Sequence, residues 1–162
     1  TGLIVVAAGK MIQEGLDAET IAERLRSRTH KCHASFVLDT LTFLHAGGRC
    51  SAVAALGANM LKLKPCIQVN NADGSMGLGK KYRGALDKAL IKYVKDELSR
   101  YSDTNTDLLF ITHSGIPQEY IDQVRETIDG IIQFKEIHVT KASCTISCHC
   151  GPNTLGILFE TL

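Results

Sequence analysis

Short apolar runs alternate along this chain with segments whose apolar residues recur at helical spacing, and this alternation limits the fold more than any other feature. The runs predict five strands, at residues 35–38, 65–69, 108–112, 136–140 and 156–159. The helical patterns predict helices at residues 3–15, 17–28, 51–61, 84–101 and 117–128, with short helical turns at 41–44 and 142–150. Strands that alternate with helices indicate an α/β domain.

Length and composition exclude several classes of protein. A chain of 162 residues with 44% hydrophobic and 22% charged residues can bury one core and is too apolar for disorder. Because 18 basic residues face 17 acidic ones, the chain lacks the basic excess of a nucleic-acid binder. No apolar stretch approaches the ~20 residues of a transmembrane helix. Leu3 to Ala8 is too short to span a bilayer and follows no basic region, as a signal peptide would.

The six cysteines indicate a reduced setting rather than a disulfide framework, because three of them crowd into residues 144–150. We therefore expect a cytoplasmic location.

One glycine-rich segment, Gly74 to Lys81, nearly matches a phosphate-binding P-loop. Lys81 stands where the hydroxyl that holds Mg²⁺ should be, and the segment follows a turn instead of a strand. Asn71 to Gly74 has the chemistry of a tight turn, since Asn, Asp and Gly tolerate positive φ. The segment is therefore interpreted as one arm of a β-hairpin with solvated lysines.

The segment Cys144 to Cys150 carries the densest group of chemically active side chains. It allows a zinc site that recruits His113 or His138, because thiolates and imidazoles are good zinc ligands. It also allows a nucleophilic cysteine with a histidine base, although adjacent helical residues point in different directions. In the third interpretation the cysteines pack in the core and His149 offers one polar group at a loop.

Arg49 follows two glycines, Gly47 and Gly48. Paired glycines indicate backbone torsions or close contacts that a side chain would forbid. The arginine is then either solvated beyond a plain turn or held in place for an anionic partner.

Five segments, in this order, resemble the DegV family of bacterial fatty-acid-binding proteins. Ser35 to Arg49 resembles the family signature that leads to G-G-R, and Ala55 to Pro65 resembles its helix and I-K-P strand entry. Asp73-Gly74 and Lys81 to Gly84 follow, the latter similar to K-V-R-G. His149 to Gly156 resembles H-x-G-P-x-x-x-G, with Asn153-Thr154 in place of the usual smaller residues.

The resemblance implies the larger, C-terminal part of a two-domain α/β protein. Residues 31–162 would form the lipid-binding domain, with helices packed on a mixed sheet. Residues 1–30 would be a helical segment leading to an N-terminal α/β domain missing from this chain. An apolar tunnel would hold one long-chain fatty acid, with no cofactor or metal. His149 would bind its carboxylate together with hydroxyls of the missing domain. The protein would be no enzyme, but would present the carboxylate to a fatty acid kinase.

Apolar residues around the G-G-R and L-K-P motifs are predicted to line the tunnel, although some could be ordinary core. They are Leu41, Leu44, Leu56, Leu61 and Ile67.

Basic residues inside the matched motifs are predicted to dock an acidic patch of the kinase, the alternative being that they are merely solvated. They are Arg49, Lys80, Lys81 and Arg83.

Overall fold

A computed structural model describes residues 1–48 and 63–162. The helices are α1 (Gly2–Gln13), α2 (Ala18–Arg28), α3 (Thr42–Ala46), α4 (Leu86–Leu98), α5 (Gln118–Asp129) and α6 (Cys144–Cys150). The strands are β1 (Cys32–Val37), β2 (Leu63–Val69), β3 (Met76–Arg83), β4 (Thr104–His113), β5 (Glu136–Lys141) and β6 (Leu155–Thr161). A 3₁₀ turn, Thr29–Lys31, joins α2 to β1.

All five predicted strands are confirmed, and β3 is the predicted hairpin arm. Gly74 has a φ of 73°, as the turn chemistry required. Asp17 caps α2 by accepting a hydrogen bond from the amide of Thr20 at 2.9 Å. The predicted helix at 51–61 lies outside the described residues. Strand β4 begins at Thr104, earlier than predicted, because its first half is polar and carries no apolar run.

The six strands form one mixed sheet in the order β3-β2-β1-β6-β4-β5. All neighbouring strands are antiparallel except β4 and β5, which run parallel and are joined through α5. The predicted α/β class with helices on a mixed sheet is confirmed. The division of the chain at residue 30 stays a prediction.

Helices α4 and α5 cover one face of the sheet and enclose the larger core. Successive residues of a strand point to opposite faces, so alternate positions of β6 reach this core. They are Leu155, Ile157 and Phe159, all at most 1% exposed. Helix α4 adds Leu90, Val94 and other buried residues at helical spacing.

Tyr93 of α4 bridges the two central strands, β1 and β6, on the face of the sheet that α4 covers. Its hydroxyl donates a hydrogen bond to the carbonyl oxygen of Ser35 at 2.7 Å and accepts one from the amide of Ile157 at 3.0 Å. Ser35 and Ile157 are paired residues of β1 and β6. The hydroxyl therefore satisfies two buried backbone groups at this point of the ladder.

The opposite face of the sheet carries α1 and α6, and α3 packs against α6. Gly2 of α1 lies against the ring of Phe110 on β4. A methyl group at this glycine would be 3.2 Å from the ring. Among the described helices, none combines the length and the apolar character needed to cross a membrane.

Candidate functional site

A largely apolar cavity of about 320 Å³ lies between the sheet and α6. Its floor consists of the positions on β1 and β6 that alternate with the core residues, because these side chains point away from α4 and α5. Helix α6 provides two residues one turn apart. The floor and this helix contribute Ala34, Phe36, Gly156, Leu158, Ile146 and Cys150.

The cavity floor has no room for a side chain at Gly156. A methyl group there would be 2.5 Å from the carbonyl oxygen of Ser35 and 2.9 Å from Cβ of Phe36. A larger residue would therefore push β1 and β6 apart, so glycine keeps the floor flat where the strands meet.

His149 lies on α6 beside the cavity wall, one residue before Cys150. Its ring packs against Gly47 at the end of α3, where any side chain would overlap the Nδ1 atom of the histidine. This Nδ1 atom is buried and has no hydrogen-bond partner among the described residues. The paired glycines predicted a close contact, and the structure identifies His149 as the group that makes it.

Helices α3 and α6 interlock a second time, through Gly151 and Phe43. Gly151 ends α6 with a φ of 76°, which favours glycine. A methyl group at Gly151 would overlap the ring of Phe43. The ring of His149 and the ring of Phe43 thus each fill a space that a glycine leaves open.

A set of polar residues at the end of β1 was missed by the sequence analysis. Asp39 forms an ion pair with Lys64 of β2, and the Nδ2 atom of Asn153 donates a hydrogen bond to its Oδ2 atom at 3.1 Å. The three residues belong to three separate motifs, L-D-T, L-K-P and G-P-N. Their position inside matched motifs was the available signal.

Three of the predicted tunnel residues lie one layer behind the cavity. Leu41, Leu44 and Ile67 form a small apolar cluster that also contains Phe36 and Cys150, two residues of the cavity wall. They support the wall and are not among the residues that line the cavity. Leu56 and Leu61 lie outside the described residues, so the tunnel assignment stays a prediction.

The cysteines of α6 differ in their surroundings. Cys144 and Cys148 are exposed, whereas Cys150 is buried and its burial raises the pKa of its thiol. A catalytic cysteine needs a lowered pKa and a base within hydrogen-bond reach, and Cys150 has the opposite environment. Within residues 1–48 and 63–162, no three His, Cys, Asp or Glu side chains come together as a metal site.

The basic residues of β3 divide between the two faces of the sheet. Lys80 forms an ion pair with Asp96 of α4 at 2.6 Å. Lys81 and Arg83 are exposed and alternate with the buried Tyr82, so both point away from α4. Arg49 lies outside the described residues, and the docking role of all four stays a prediction.

Comparison with known proteins identifies the family. The model of the DegV family matches residues 1–162, the whole chain. The chain belongs to the DegV family. A DegV domain-containing protein of Clostridium perfringens is 30% identical over 159 residues, which cover 98% of this chain and 53% of that protein. A DegV domain-containing protein from Caldanaerobacter subterraneus is 25% identical over 161 residues, which cover 98% of this chain and 55% of that protein.

Solved DegV structures share the fold. A fatty-acid-binding DegV family protein from Thermus thermophilus matches 99% of this chain with a TM-score of 0.80 and 25% identity. A DegV family protein from Eubacterium eligens, crystallised with heptadecanoic acid, matches 99% with a TM-score of 0.84 and 23% identity. In both cases 56% of the solved chain is covered. The chain thus spans just over half the length of its DegV relatives.

Proposed function

We propose that this chain binds a long-chain fatty acid and, within a longer protein, presents its carboxylate to a fatty acid kinase without catalysing a reaction itself. The observation that carries this proposal is the apolar cavity between the sheet and α6, the helix in which His149 directly precedes the cavity residue Cys150. Relatives of the same fold that bind fatty acids add support.

The cavity suits the tail of such a ligand. Its volume of about 320 Å³ falls within the range of about 300–1,000 Å³ typical of small-molecule sites. Each methylene removed from water contributes about 0.8 kcal/mol, so a tail supplies most of the binding free energy without any polar contact. The described residues that line the cavity include five with hydroxyl groups, Thr1, Ser35, Thr112, Ser114 and Thr154.

The carboxylate needs a hydrogen-bond donor, because a charged group brought into a drier site is costly unless it is paired. His149 is the candidate donor. Its ring is held between α6 and Gly47, so the ring is oriented before the ligand arrives. This pre-orientation reduces the entropy that binding would otherwise have to offset.

Replacement of His149 tests this assignment. In the full-length protein His149→Ala should weaken fatty-acid binding by about 1–3 kcal/mol, the usual cost of leaving a charged acceptor short of a hydrogen bond. Lipid-exchange titration measures the effect, and His30→Ala, at an exposed position of the 3₁₀ turn, serves as the control. Equal affinities for both variants and the unmodified protein would remove His149 from the site.

The partner role rests on Lys81 and Arg83, whose exposed side chains point away from α4. Exposed cations of this kind steer an acidic partner more than they add affinity. Reversal of Arg49 and Arg83 to Glu should slow acyl-phosphate formation in a reconstituted kinase reaction while fatty-acid loading stays normal. Arg125→Glu on the exposed side of α5 is the control. Unchanged turnover by the kinase at subsaturating protein would disprove the docking role.

The alternative function, a metal-binding or hydrolytic enzyme built on residues 144–150, has less support. The buried Cys150 has a raised pKa, and the Nδ1 atom of His149 has no thiol partner among the described residues. Bound zinc in the purified protein would favour this alternative.

A further inference from the structure

Asn153 has an unusual backbone conformation. Its φ is 61°, and within residues 1–48 and 63–162 no other residue except glycine has a positive φ. Asparagine tolerates this region better than most residues but still adopts it at some cost. The side chain offsets that cost through its hydrogen bond to Asp39, 3.1 Å from Nδ2 to Oδ2.

Asp39 is held in place from another direction. The Nζ atom of Lys64 pairs with Oδ1 of Asp39 and donates a second hydrogen bond to the carbonyl oxygen of the same residue at 3.0 Å. The side chains of Lys64 and Asp39 are only 17% and 26% exposed, so solvent screens the pair less than it would on an open surface. Asp39 is therefore a fixed acceptor for Asn153.

The hydrogen bond between Asn153 and Asp39 completes a closed path of contacts that includes His149. Four residues after His149 the chain reaches the left-handed turn at Asn153, whose side chain is hydrogen-bonded to Asp39. From Asp39 the chain runs through α3 to Gly47, on which the ring of His149 lies. We infer that Asp39 and Asn153 form a clamp that holds α3 against α6 and thereby positions His149 for the ligand carboxylate.

The clamp holds only one side of the loop between α6 and β6, residues 151–154. On the other side Ser114 already anchors the loop, because its amide donates to the carbonyl oxygen of Thr154 at 3.0 Å and its hydroxyl accepts from the amide of Thr154 at 3.3 Å. The fold of the loop therefore survives without the clamp. The clamp sets the distance between the loop and α3. This distance determines how the imidazole of His149 packs against Gly47.

This inference rests on the proposed role of His149, and its test separates the two. In the full-length protein Asn153→Gly keeps the left-handed turn and removes only the amide. We expect the NMR signals of the His149 imidazole to shift and broaden, the affinity for palmitate to fall about 5- to 10-fold, as for one hydrogen bond, and the melting temperature to change little. Asn70→Gly removes an exposed amide in the β2–β3 turn that is not part of the clamp, and it should leave the imidazole signals and the affinity unchanged.

Two further variants complete the test. In a His149→Ala background Asn153→Gly should not lower affinity again, because its effect passes through the missing ring. Asn153→Asp keeps a side chain of the same shape but sets a second carboxylate against that of Asp39, so it should shift the signals and lower the affinity as Asn153→Gly does. Unchanged imidazole signals in Asn153→Gly, or an additive loss in the double variant, would overturn the clamp. If His149→Ala alone leaves affinity intact, the carboxylate role fails, while the imidazole signals still test the clamp.

Discussion

Replacing Ala34 with leucine should shorten the fatty acid that the cavity accepts. Ala34 lies on β1 and lines the cavity floor, while its neighbour Ser35 points to the opposite face and binds Tyr93. Because the added carbons enter existing space, the substitution fills the cavity without disturbing the larger core.

The structure sets the expected size of the effect. Leucine adds three carbons to a cavity of about 320 Å³, and we expect it to displace a similar length of the bound tail. At about 0.8 kcal/mol for each methylene, displacement of three methylenes costs about 2.4 kcal/mol, which is about 50-fold in the dissociation constant. A chain short enough to leave that space empty should lose nothing.

The assay is a series of saturated fatty acids from shorter to longer chains, each titrated against the full-length protein. Ala34→Leu should bind the short members as tightly as the unmodified protein does and the long members more weakly. Ala18→Leu adds the same carbons at an exposed position of α2 and should leave the series unchanged. An equal loss for all chain lengths, or no loss at all, would refute the assignment of this cavity to the tail.

Three further predictions concern stability and reactivity. Tyr93→Phe leaves two buried backbone groups between β1 and β6 unpaired, each at a cost of ~1–3 kcal/mol. The free energy of unfolding measured in urea should therefore fall by about 2–4 kcal/mol, with little change in the m-value. A fall of less than ~0.5 kcal/mol would contradict this role of the hydroxyl. Burial lowers the pKa of His33, so as the pH falls below 6.5 the unfolded state binds this proton before the folded state does. The free energy of unfolding should therefore decrease below pH 6.5, and it should decrease less steeply in His33→Gln. Identical pH dependence in the two proteins would exclude His33 as the cause. Alkylation at pH 8 should modify the exposed Cys144 and Cys148, whereas burial raises the pKa of Cys66 to about 12 and should protect it until unfolding; early labelling of Cys66 would contradict its burial.

Local patterns in the sequence predicted most of the helices and strands that the structure describes. The apolar spacing of α4 predicts the face that packs on the sheet, because helical periodicity is a property of neighbouring residues. Gly74 predicts the hairpin turn for the same reason, since its positive φ depends on local sterics. The polar start of β4 was missed because its residues pair with β6 through backbone groups that leave no apolar pattern.

The candidate site depended on contacts that no local pattern carries. Gly47 predicted a close approach, but its partner, His149, lies about a hundred positions further along the chain. The bond between Asp39 and Asn153 likewise joins residues that only the folded sheet brings together. The resemblance identified the motif residues as important, and the structure adds which of them touch.

Fatty-acid binding can be measured by native mass spectrometry of the full-length protein, purified without added lipid and again after incubation with palmitate. We expect a complex whose mass exceeds that of the protein by one long-chain fatty acid, present in both samples and weakened in His149→Ala. A protein that stays free of lipid after incubation, or that carries zinc instead, would contradict it.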